Sequence, residues 1–166
     1  MITFAFGSLF TADETHSLAQ CISGDTLTQF GMFRGISVQF IELYPELREL
    51  RGQGDREVGT VVPVNLGGKF IYNLITKHRF WNKPTCASIY SSLRSMKYHA
   101  IEFKVSDIAM PFLGAGCDKM DFYNEVLPLV EDLFKDTSIN IHIYSLQLNR
   151  FTTCLERFVV ILEIMS

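Results

Sequence analysis

Two apolar runs, Val58 to Leu66 and Lys69 to Thr76, meet at the pair Gly67-Gly68. Two glycines in a row supply the positive φ angles that a tight two-residue connection needs, so the pair predicts a β-hairpin. Around it, short apolar runs alternate with amphipathic stretches, and that alternation predicts parallel strands joined by helices. One antiparallel hairpin inside a parallel pattern leaves few topologies. The expected fold class is α/β, with a mixed central sheet and helices on both faces.

The remaining elements follow from periodicity. Ile2 to Phe6 and Ser17 to Ser23 are short, apolar runs and predict buried strands. Gly24 to Phe33 lacks a period and predicts a loop, and Gly35 to Tyr44 places Ile36, Phe40 and Leu43 at helical spacing until Pro45 ends or kinks the helix. Arg48 to Arg56 is a charged, glycine-punctuated connection. After Pro84, the series Cys86, Ile89, Leu93, Met96, Ala100 and Phe103 predicts a long amphipathic helix. Asp107 to Leu113 predicts a strand that ends in Gly114-Ala115-Gly116. A second amphipathic helix carries Phe122, Val126, Leu129, Val130 and Leu133, with Asp121 placed to cap it. In Ile139 to Leu146 the isoleucines alternate with Asn140, His142 and Tyr144, the period of a half-buried strand. Ligands of such sheets sit at the carboxyl ends of the strands, which directs attention to Ser23 to Ile36, Thr76 to Pro84 and Leu113 to Asp118.

Composition narrows the function. The 166 residues suit one core, and 15 Lys+Arg against 18 Asp+Glu give a net charge of -3, which argues against a domain that grips nucleic acid through its phosphates. The cysteines, Cys21, Cys86, Cys117 and Cys154, form no C-x-x-C pair. Neither a zinc site nor a disulfide framework is expected from them, and a reducing, intracellular setting (cytoplasm or nucleus) is. Met1 to Phe10 lacks the pattern of a signal peptide, and Phe158 to Met165 is far shorter than the roughly 20 apolar residues that span a bilayer, so no membrane role is expected.

At the strand-end loops the sequence resembles the macrodomain family, and within it the terminal ADP-ribose protein glycohydrolase branch. The matching segments are Gly7-Ser8-Leu9-Phe10, Ser17 to Ser23, Met32-Phe33-Arg34-Gly35-Ile36-Ser37, Phe70 to Lys77, Lys83-Pro84-Thr85 and Met110 to Asp118, in that order. They cover nearly everything up to Leu146. The resemblance implies a three-layer α/β/α domain over 1–146 that binds ADP-ribose in a cleft without a cofactor or a metal. It implies Lys77, of the run Ile75-Thr76-Lys77, and Asp118, after Gly114-Ala115-Gly116-Cys117, as the catalytic pair. The implied ADP-ribose contacts are Ser8, Leu9, Ser23, Met32, Arg34, Gly35, Ile36, Leu113, Gly114, Ala115, Gly116 and Cys117. Substrates in the branch are ADP-ribosylated proteins with ester-linked acidic side chains, O-acetyl-ADP-ribose and, in bacterial relatives, ADP-ribosylated nucleic-acid bases. The rivals are a non-catalytic ADP-ribose reader and an ADP-ribose 1''-phosphate phosphatase, for which Lys77 and Asp118 are not the expected signature.

Two positions depart from the branch. Ser8 stands where an aspartate usually accepts a hydrogen bond from the adenine amino group, and a hydroxyl is the weaker acceptor by about 1 kcal/mol or more. Phe33 replaces a glycine after Met32, in a loop from Gly24 to Gly31 that is longer than typical. Without the resemblance, Lys77 reads as a solvated strand-end lysine flanked by the cations His78 and Arg79, and Asp118 as a loop carboxylate or a capping group. Cys117 has no histidine placed beside it by a motif, so a thiol nucleophile is disfavoured. His142 reads as a structural residue under a helix, His16 and His99 carry no signal, and Phe80 and Trp81 read either as packing or as a cover for the ribose. The segment 147–166 lies outside the resemblance. Its apolar, β-branched run predicts a strand packed on the domain or in a dimer contact.

Overall fold

The computed structural model describes residues 1–27 and 35–146. Met32, Phe33 and Arg34, and the extension 147–166, lie outside the described residues. Among the described residues six strands form one sheet: β1 (Ile2–Phe6), β2 (Ser17–Ser23), β3 (Thr60–Asn65), β4 (Phe70–Lys77), β5 (Asp107–Pro111) and β6 (Asn140–Ser145). Their spatial order is β1-β6-β5-β2-β4-β3. Every pairing is parallel except β3 with β4, which run antiparallel through the Gly67-Gly68 turn that the sequence predicts. In that turn the Leu66 amide donates to the Lys69 carbonyl at 2.8 Å, and both glycines take positive φ.

Helices α2 (Cys86–Glu102) and α3 (Leu127–Phe134) pack on one face over a core that includes Tyr72, Leu93, Met96, Ile108 and Ile141. On the other face, α1 (Ile36–Leu43) and a 3-10 turn over Pro45–Leu50 close a smaller core around Phe40, Leu47, Ile71 and Ile75. Pro45 ends α1 as expected, but the chain continues as the 3-10 turn. Arg48 therefore belongs to a turn, not to an open connection. Leu43 is 55% exposed, so the apolar face of α1 rests on Phe40.

Helix α2 begins with a capping box in which Thr85 Oγ1 accepts from the Ser88 amide and Ser88 Oγ accepts from the Thr85 amide. Ser88 Oγ also donates to the Thr76 carbonyl at 2.6 Å, and Ser92 Oγ to that of Ile75 at 2.9 Å. These bonds fix the helix to the end of β4. Phe103, read as the last core position of this helix, is instead its 54% exposed C-cap, stacked on His99. The second amphipathic stretch is not one regular helix. Asp121 caps a π turn over Phe122–Val126, in which the Leu127 amide bonds back to the Phe122 carbonyl, and α3 follows. Pro128 has no amide hydrogen to continue a regular ladder into this turn.

Register at the carboxyl end of β2 shifts between Ile22 and Ser23, so Ser23 pairs with Lys77. The ends of β2 and β4 and the turn after β5 thereby open on one side of the sheet. No helix among the described residues is long and apolar enough to cross a membrane.

Candidate active site

Lys77 is the last residue of β4, held in place by the two serine bonds from α2 and by the pairing with Ser23. Asp118 reaches it from the turn after β5. There the Ala115 amide bonds the Phe112 carbonyl at 3.0 Å, the Met120 amide bonds that of Gly114 at 2.8 Å, and Gly114 sits at φ +77°. That φ disfavours any side chain there, and a Cβ on Gly114 would also stand 3.1 Å from Met120 Sδ, so the curl suits glycine. At Gly116 a Cβ would meet open space. The curl delivers the Asp118 carboxylate to Lys77 Nζ, which donates a hydrogen bond to Oδ1. Each side chain is only 12% exposed.

The pair lies in a cleft of about 370 Å³. Ser8, Leu9, Ser23, Gly35, Ile36 and the run Leu113 to Cys117 all line it, as do Lys77 and Asp118. Two expected contacts, Met32 and Arg34, are outside the described residues. Gly35 begins α1 at φ +60° with no side-chain cap among the described residues, and its carbonyl accepts from the Val38 amide at 3.2 Å. Ser8 caps a short 3-10 turn, its Oγ accepting from the Phe10 amide at 3.3 Å. Phe80 lines the cleft, and Trp81 stands edge-on to it with 66% of its surface exposed.

Sequence reading missed several of the groups that shape this cleft. Asp25 is buried and accepts hydrogen bonds from Ser23 Oγ and from the Phe80 amide, while its own amide donates to the His78 carbonyl. It therefore ties the turn after Lys77 to the turn after β2. His78 and Arg79, which in sequence set two cations beside Lys77, turn to Asp55, with Arg79 Nη1 3.1 Å and His78 Nε2 3.8 Å from Oδ2. Cys21 also faces the cleft. Burial, reinforced by the Asp118 carboxylate, pushes its thiol up to about 12, which disfavours the thiolate that a nucleophile needs. Phe10 and Tyr144 complete the walls.

A mixed α/β sheet with a lysine-carboxylate pair at its strand ends can be set against known proteins. No family model matches the chain. ADP-ribose glycohydrolase OARD1 of Homo sapiens is 38% identical over 145 residues, which cover 87% of this chain and 91% of that protein. This chain belongs to the macrodomain family. Solved structures agree with the assignment: the macrodomain of Mycobacterium tuberculosis DarG superposes with a TM-score of 0.74 at 26% identity, covering 87% of this macrodomain and 97% of the other. Thermosipho africanus DarTG in complex with ADP-ribose superposes at 0.68 and 16% identity, over 86% of this macrodomain and 41% of that chain, and shares the fold. The macrodomain described here is thus a homologue of OARD1.

Proposed function

We propose that this macrodomain is an ADP-ribose glycohydrolase that releases ADP-ribose ester-linked to acidic side chains of proteins. The reading rests on one observation above the others, the hydrogen-bonded Lys77 and Asp118 pair inside the cleft. A lysine attacks only as the neutral amine, and a carboxylate bonded to Nζ is placed to take its proton. Nζ then attacks C1'' of the distal ribose. The C1''–N bond forms, the C1''–O bond breaks, and the target carboxylate leaves with the bonding pair while the second amine proton passes to solvent. Protonated Asp118 returns its proton to the nitrogen, water attacks C1'' as the C1''–N bond breaks with its pair left on Nζ, and the proton shed by the attacking water restores the Lys77 ammonium beside the Asp118 carboxylate. Gly35 and the α1 amides suit the pyrophosphate, the Gly114 to Gly116 turn suits close backbone approach, and Ser8 suits the adenine edge.

O-acetyl-ADP-ribose and ADP-ribosylated nucleic-acid bases are proposed as further substrates of the same pair. The proposed unit is 1–146, in an intracellular setting, cytoplasm or nucleus. Lys77→Ala and Asp118→Ala should each abolish ester hydrolysis on auto-ADP-ribosylated protein while keeping the thermal shift given by ADP-ribose. Borohydride should trap an ADP-ribosyl adduct on the parent protein and none on Lys77→Ala. Turnover that survives Lys77→Ala refutes the role of this lysine, and binding without turnover in the parent makes the protein a reader.

A further inference from the structure

We propose that His16, Asp107 and His142 bind a divalent transition-metal ion of the zinc class. The three residues come from the loop before β2, the start of β5 and the middle of β6, at the end of the strands away from Lys77. Their ligand atoms all lie within 4.8 Å of one another. His142 Nε2 is 2.8 Å and His16 Nε2 3.7 Å from Asp107 Oδ1. With bonds of about 2.1 Å, donors around a tetrahedral ion stand about 3.4 Å apart, between those two distances. A proton cannot bridge 3.7 Å, whereas an ion can.

The bonding of each ring supports the assignment. His142 Nδ1 stands 2.9 Å from Thr3 Oγ1, the outer hydrogen bond that orients a ligating imidazole. His16 is underbonded: its Nδ1 is buried with no hydrogen-bond partner, and its Nε2 reaches Asp107 only at the long distance above. The two rings stack at 4.5 Å and 14°, so convergence on one ion requires the His16 ring to turn. No hydrogen bond of its side chain among the described residues opposes that turn. Asp107 supplies charge. Side-chain exposures of 18%, 26% and 22% for His16, Asp107 and His142 leave one side open for water as a fourth ligand. Two imidazoles and one carboxylate select zinc, cobalt, nickel or copper over magnesium and calcium, which want oxygen cages. Bound there, an ion clamps three elements of the fold.

The test uses tag-free, chelator-treated protein titrated with Co²⁺, followed by its visible absorption, and then with Zn²⁺, followed by displacement of that absorption and by a rise in Tm. His16→Ala, on a loop, should weaken Co²⁺ binding at least tenfold without unfolding the protein, and Asp107→Asn should do the same. Thr3→Val should weaken it by about tenfold, the effect of losing an outer partner. Cys117→Ser and Cys86→Ser should leave it unchanged, as Lys77→Ala should. The proposal is overturned if Co²⁺ gives no spectrum, if the spectrum persists in His16→Ala, or if it vanishes with a cysteine instead. A Tm rise shared equally by Mg²⁺ and Ca²⁺ also overturns it.

Discussion

Lys77→Met would leave the Asp118 carboxylate 12% exposed and without its ammonium partner, and Asp118→Leu would leave the ammonium in the reverse position. Removing one member of a buried ion pair destabilises by about 3–5 kcal/mol, because the remaining charge stays desolvated. Here the pair borders an open cleft that water can enter, so about 2 kcal/mol is expected for each single substitution. At roughly 2–4 °C per kcal/mol for a domain of this size, Tm should fall by about 4–8 °C. The double variant, Lys77→Met with Asp118→Leu, loses both charges together. It should return to within about 1 kcal/mol of the parent, since well-packed apolar residues replace a buried pair at little cost. Thermal and urea unfolding of the four proteins give the coupling energy, and ester hydrolysis on the same samples gives the activity, which should be equally absent from all three variants. Stability then recovers where activity does not, as expected of a pair kept for chemistry. If the single losses add in the double variant, the two side chains do not act as a unit and the reasoning fails.

Ser8→Asp should strengthen ADP-ribose binding several-fold, about 1 kcal/mol, because aspartate caps a helical turn as well as serine does and keeps a second oxygen for the adenine amino group. Calorimetry showing equal or weaker binding would mean that the adenine is held elsewhere. Asp107 gives a pH signature in chelated protein. Its carboxyl is held below the ordinary 3.8, so its contribution to stability is present above that value and is lost as pH falls through the lower, folded one. Melting curves between pH 5 and 3 should therefore drop more steeply for the parent than for Asp107→Asn.

What was legible in the sequence was local. The hairpin was readable because Gly67 and Gly68 carry the turn in their own backbone freedom, and α2 because its buried residues keep a single period. The cleft-lining segments were legible through the family resemblance, whose motifs lie at the strand ends. Other features depend on partners remote in sequence. Asp25 ties the Lys77 turn through Phe80, 55 residues away, and no local pattern announces that bond. His16 and His142 gave no motif because the topology, not spacing, brings them to Asp107. The exposed Phe103 and Leu43 fit helical periods in sequence, but the helix ends before the one, and the core of the lower face stops short of the other. Pro128 lies in the first turn of α3, just after the π turn, but apolar spacing alone treats it as one more helical position.

Among the described strands β1 pairs with β6, Ile2 beside Ile141, and the cleft takes Gly7 to Phe10 from just after the one and Tyr144 to Leu146 from the end of the other. During synthesis, then, the cleft has no two-sided wall until β6 has emerged and docked, although α2, β4 and Lys77 are already made. Such a late, long-range closure slows folding relative to a chain of local contacts. On the proposed function it also makes ligand capture a sign of maturity: a ribosome-bound fragment that stops before residue 140 should present the lysine without retaining ADP-ribose, and retention on stalled chains of increasing length should mark the moment when β6 docks beside β1.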